Sequence, residues 1–112
     1  MMMSTGPKQK LFAEFATVAR ALGHTHRLEI LEHLAQGERG VEALSTRVHL
    51  SIANTSQHLQ HLRRAGLVAS RRDGKFILYF LSDESVLTLI ASLRNVAERN
   101  IAEVNKIVRG YF

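Results

Sequence analysis

At 112 residues, with 46% apolar residues, the chain is sized for one domain with a modest core and is too apolar to be disordered throughout. It has no cysteine, hence no thiolate for redox or soft-metal chemistry, and no apolar run approaching the roughly 18 residues of a membrane-spanning helix. The net charge of +5 is localised: residues 51–80 carry Arg63, Arg64, Arg71, Arg72 and Lys75 against Asp73 alone, which points to a polyanionic partner for that stretch.

The opening "MMMSTGP", residues 1–7, has no periodicity and is expected to be disordered; residues 8–112 are expected to form a single domain. Because "MMMSTGPKQK" lacks the apolar segment of a signal peptide, a cytoplasmic location is expected. From 8 to 22, Leu11, Phe12, Phe15, Val18, Ala19 and Leu22 recur at helical spacing, and Gly23 stops the run. "THRLEILEHLAQG" predicts a second helix with Leu28, Ile30, Leu31 and Leu34 inward and Gly37 at its end. "GVEALSTRVHL" predicts a short third helix with Val41, Leu44 and Val48 inward.

A fourth helix is expected over about 51–65, with Ser51 as N-cap and Gly66 beyond its end. At 100° per residue, Ile52, Thr55, Leu59 and Leu62 share one face and are expected to anchor it. The opposite face carries Ala53, Gln57, Gln60 and Arg64, flanked by Asn54, Ser56 and His61, with no acid. A merely solvated face would mix Glu and Lys. Hydroxyls and amides instead suit phosphates and base edges, where Asn and Gln match adenine and a small Ala can touch a thymine methyl. The third and fourth helices with the short turn between them form a helix-turn-helix pattern.

At about 67–81 the period changes to β, with two runs around Asp73-Gly74, a strong hairpin signal. Arg71, Arg72 and Lys75 place three cations at the turn, within reach of neighbouring phosphates or a minor groove. A helix-turn-helix followed directly by such a ribbon is a winged helix, so the fold class expected is mainly α with a β-hairpin wing, in the order ααααββα.

The last helix, about 84–109, is apolar on more than one stripe, and the first helix has a similar excess. A surface helix needs one apolar stripe, so the surplus predicts a homodimer built from these two helices. The interface candidates are Leu11, Phe12 and Phe15 on the first and Leu89, Leu93, Val96, Ile101 and Val104 on the last.

His24 and His26 open the second helix, where capping or packing suits them better than metal binding. His33 and His49 read as surface or structural. His58 and His61 lie on the fourth helix, where a phosphate contact competes evenly with plain solvation. No carboxylate cluster, activated nucleophile or Gly-rich phosphate loop supports an enzyme, and no cofactor is expected.

On "ALGHTHRLEIL", "LSIANTSQHLQHLRRAGLV" and "GKFILYFL" the chain resembles the ArsR/SmtB family of bacterial winged-helix repressors along nearly its whole length. The resemblance implies a homodimer joined through its first and last helices, two recognition helices in successive major grooves of an imperfect inverted-repeat, palindromic operator of double-stranded DNA, and release by an inducer. Carried onto this chain, it puts Ser51, Ala53, Asn54, Ser56 and Gln57 in the groove; Gln60 and Arg64 follow from the helix face.

The departures are specific. The family's metal sensors use cysteines in the third helix or Asp/His and His/Glu pairs on the last, whereas this chain has neither cysteine nor any histidine within 83–112. No metal site is therefore expected. "LFAEFATVARALGH" and "RNVAERNIAEVNKIVRGYF" are also similar to regulators in which the winged helix precedes a rhodanese-like domain, which implies either the DNA-binding half of a longer gene product with such a C-terminal domain or a stand-alone relative. The competing reading is a winged-helix protein-interaction or dimerisation module whose basic face is incidental.

Overall fold

The computed structural model describes residues 6–111. Five helices and a small sheet follow in the order α1 (Pro7–Leu22), α2 (Thr25–Ala35), β1 (Arg39–Gly40), α3 (Val41–Val48), α4 (Ile52–Arg64), β2 (Val68–Asp73), β3 (Phe76–Leu81) and α5 (Glu84–Tyr111). The chain divides into two compact units, one ending at Ser82 and one beginning at Asp83, where the sequence suggests a single domain from residue 8 on. Of the N-terminal stretch expected to be disordered, residues 1–5 lie outside the described residues. Pro7, however, is the first residue of α1, since its fixed φ and missing N–H suit the first helical position. The Gln9 side chain closes that end by accepting from the Gly6 N–H at 3.2 Å.

Helices α1 and α2 meet at a corner held by Arg27. Its Nε donates to the Ala21 carbonyl at 2.6 Å and its Nη2 to that of Arg20 at 3.0 Å, which also accepts from the Gly23 N–H at 3.2 Å. His24 is the N-cap of α2, its Nδ1 accepting from the His26 N–H at 3.2 Å. Ile30, Leu31 and Leu34 of α2, Leu44 and Val48 of α3, Leu59 and Leu62 of α4 and Leu67 and Val68 beyond it form the core of the first unit. Leu28 and Val41, expected inside, are only half-buried. Ser45 is buried unexpectedly, its hydroxyl satisfied by the Glu42 carbonyl at 2.8 Å.

Helix α3 ends at His49, which adopts φ 57° and ψ 44°, the left-handed region that most side chains avoid. The short turn to α4 starts there. Helix α4 ends in a left-handed Gly66, with the Leu67 N–H donating to the Leu62 carbonyl at 3.0 Å.

The hairpin of β2 and β3 is antiparallel, with Asp73 opposite Phe76 and Val68 opposite Leu81. Asp73 is therefore the last strand residue, and Gly74 and Lys75 form the loop. Among the described residues of that loop only Gly74 has positive φ, at 62°. Asp73-Gly74 was the signal, but the left-handed demand falls on Gly74 alone, at the first loop position as in a type II′ turn. Strand β1 adds a third strand, in the order β1-β3-β2, with Arg39 opposite Tyr79 and Gly40 opposite Leu78. The order is thus αα-β-ααββα, one strand more than the periodicity predicts, because two residues are too few to show an alternation. Ser82 closes the hairpin base, donating through Oγ to the Gly66 carbonyl at 2.6 Å and through N–H to that of Leu67 at 3.1 Å.

In the second unit, Asp83 caps α5 by accepting from the Ser85 N–H at 2.9 Å. Hydrogen bonds from Ser85 hold its carboxyl below the ordinary range. No helix among the described residues is long and apolar enough to cross a membrane.

Candidate nucleic-acid interface

Helix α4 is fixed from its own N-terminus. Ser51 Oγ accepts from the Asn54 N–H at 3.0 Å, and Thr55 Oγ1 donates back to the Ser51 carbonyl at 2.8 Å. Thr55, Leu59 and Leu62 are fully buried. Ile52, expected to anchor beside them, is 50% exposed: as the first helical residue it overhangs the end of the packed face. The anchoring stripe therefore begins one turn later than the spacing predicts.

With that face inside, the candidate residues come out. Ser51, Ala53, Asn54, Gln57, Gln60 and Arg64 are exposed and Ser56 is half-buried. Ser56, Gln57, Gln60 and Arg64 come together with His58, His61 and Arg27 of α2 around an open hollow of about 610 Å³. Ser51, Ala53 and Asn54 stand at the N-terminal end, outside it. None of the lining residues is acidic.

His58 does not simply point into solvent. Its ring centroid lies 4.6 Å from that of His24 and 6.1 Å from that of His26, which is itself 5.6 Å from His24. Burial holds the His58 imidazole below its ordinary value, and His24, Arg27, His26 and His61 add to the effect. His61 is shifted the same way, first by burial and then by Arg27, Arg64 and His24. Among the described residues no group of three or more His, Asp and Glu is placed to hold a metal ion.

On the wing, Arg71, Arg72 and Lys75 are all exposed. Arg71, expected as a phosphate contact, is engaged with Glu38 in the loop before β1. Nε donates to Oε2 at 2.9 Å, and Nη2 pairs with Oε1. This pair holds the Glu38 carboxyl below the usual range. Sequence reasoning missed Glu38 and Arg27. Glu38 is 33 residues from its partner, and no local pattern announces the pairing.

Residues 24–70 match the model of the family described as "Bacterial regulatory protein, arsR family". The HTH-type transcriptional regulator Rv0324 of Mycobacterium tuberculosis is 40% identical over 97 residues, which cover 87% of this chain and 43% of that protein. The chain thus spans less than half of that relative's length. Rv0081 of the same organism, an uncharacterized HTH-type transcriptional regulator, is 41% identical over 102 residues, covering 90% of this chain and 87% of that protein. Among solved structures, the homodimeric winged helix-turn-helix DNA-binding domain (fragment 1–100) of Mb0332 from Mycobacterium bovis superposes with a TM-score of 0.80. It is 39% identical and covers 88% of this chain and 91% of its own.

Proposed function

The chain belongs to the arsR family of bacterial regulatory proteins, and from that premise we propose that it is a homodimeric transcriptional repressor of an imperfect inverted-repeat operator, released by an inducing signal. The observation that carries this reading is the acid-free outer face of α4, set beside a wing that bears Arg72 and Lys75. Ser51, Ala53, Asn54, Ser56, Gln57 and Gln60 read base edges and position the helix in the major groove, while Arg64, Arg71, Arg72 and Lys75 hold phosphates. The protein acts in the cytoplasm, where its DNA lies, and no catalytic step or cofactor is assigned to it.

The dimer part of the proposal rests on apolar surface that a single chain leaves in water. Leu11, Phe12 and Phe15 of α1 are 54–55% exposed, with the two Phe rings packed edge to face at 5.4 Å. On α5, Leu93, Val96, Ile101 and Val104 are exposed and Leu89 is half-buried. A second copy covering these stripes removes them from water, and the similar Mb0332 domain is homodimeric. A rhodanese-like domain in a longer gene product is the outermost part of the proposal.

The test is a footprint on the protein's own promoter with a salt titration. Protection of an inverted repeat, with affinity falling steeply as salt rises, supports the reading. Capture of a protein partner without sequence-specific protection favours the interaction-module reading instead.

A further inference from the structure

The hollow between α2 and α4 has a property that a recognition surface does not require. Two of its lining residues, His58 and His61, carry imidazoles, and the charged groups that act on them are all basic. His58 faces His24 from the N-cap of α2, His26 and Arg27 from α2 itself, and His61 from its own helix. His61 faces Arg27 and His24 from α2 and Arg64 from α4, and it shares a neighbouring hollow with Arg20 of α1. The carboxylate of Glu29 reaches only His26, at 3.7 Å from its Nδ1. Among the described residues, no carboxylate lines the hollow itself.

We propose that this hollow is a proton-linked phosphate site, in which a DNA backbone phosphate is received by Arg27, Arg64, His58 and His61, and operator binding takes up protons on the two imidazoles. The inference rests on the DNA-binding reading above and deepens it. Partial desolvation and then the surrounding cations disfavour the charged form of both imidazoles in the free protein. A phosphate brought among them supplies the missing opposite charge, favours their charged form and turns each from a neutral ring into a charged donor. By linkage, a binding event that takes up protons tightens as pH falls. Carboxylates do not titrate between pH 8 and 6, which leaves the imidazoles and the α-amino group in that window, and the histidine variants separate the two.

The experiment measures affinity for the footprinted operator duplex by fluorescence anisotropy at constant ionic strength between pH 8 and 6. The expected result is binding about three- to tenfold tighter at pH 6, where one proton fully taken up corresponds to tenfold per pH unit. His58→Gln and His61→Gln each flatten the slope between pH 8 and 6, whatever each does to the affinity at pH 8. Proton NMR of the wild-type protein should show both ring resonances titrating at higher pH in the complex than in the free protein. If His58→Gln does not fold, His61→Gln and the wild-type NMR titration carry the test. Specific binding that is pH-independent or weakens on acidification, an unchanged slope in both variants, or ring resonances unmoved by DNA overturns the inference and leaves the DNA-binding reading standing. Absence of specific binding at every pH overturns both.

Discussion

Arg71 of β2 and Glu38 of the loop before β1 form a two-point ion pair that ties the wing to a segment 33 residues earlier in the chain. The guanidinium fork matches the carboxylate as it would match a phosphate, so on the proposed reading Glu38 competes with DNA for Arg71.

Glu38→Gln is accordingly expected to tighten operator binding several-fold and to steepen its salt dependence, because Arg71 is released and a negative charge leaves the interface. Anisotropy titrations at two salt concentrations check this. The pair is exposed, so the thermal midpoint should barely move at neutral pH. Unchanged or weakened binding would show that Arg71 serves the fold of the wing rather than the DNA.

The histidine cluster gives folding a pH dependence opposite in sign to that proposed for DNA binding. His58 titrates lower in the folded protein than its ordinary value of 6.5, so in this region the unfolded chain binds more protons. Stability then rises with pH, and falls as pH drops below about 7 through the depressed folded value. Urea unfolding at pH 8, 7, 6 and 5.5 should show the midpoint declining, with a shallower decline in His58→Gln.

Ser51 is both the N-cap of α4 and a candidate groove contact. Ser51→Ala should cost about 1 kcal/mol of stability and Ser51→Gly only a few tenths, by chemical denaturation. If DNA affinity drops equally in both, the hydroxyl contributes to binding beyond its capping role.

His49 ends α3 in a left-handed conformation. His49→Gly should stabilise or leave the protein unchanged to within about 1 kcal/mol, while His49→Ile should destabilise it by about 1–2 kcal/mol. Thermal unfolding of the three proteins tests the order.

Phe12→Glu on α1 and Val96→Glu on α5 should each shift a dimer toward monomer in sedimentation equilibrium at micromolar concentration, since a charge placed in an apolar seam is left without a partner. A wild-type protein that is monomeric at that concentration would sink the dimer proposal.

Much of this is written along the chain. Ser51 before an apolar stripe, Asp73-Gly74 between β-rich runs and glycines at helix ends all act through neighbours within one turn, so spacing and residue type suffice to place α4 and the hairpin. Strand β1 was not legible, because its two residues become a strand only through pairing with β3. Ile52 fits the apolar stripe by angle yet remains exposed, because helical angle says which residues share a side but not how far along the helix a neighbour extends.

The five helices, the hairpin, the acid-free outer face of α4 and the cationic wing are consequences of local periodicity and composition. Which polar groups meet is set by the folded arrangement: Arg71 with Glu38, Arg27 with the end of α1, and His58 with His24 and His26. Arg27 joins the two sides of the α1–α2 corner, Arg71 and Glu38 lie 33 residues apart, and His58 of α4 meets the start of α2. Coulomb interaction and desolvation depend on distance in space, and chain order does not encode that distance until the core of Ile30, Leu31, Leu44, Leu59 and Leu62 closes and brings those side chains together.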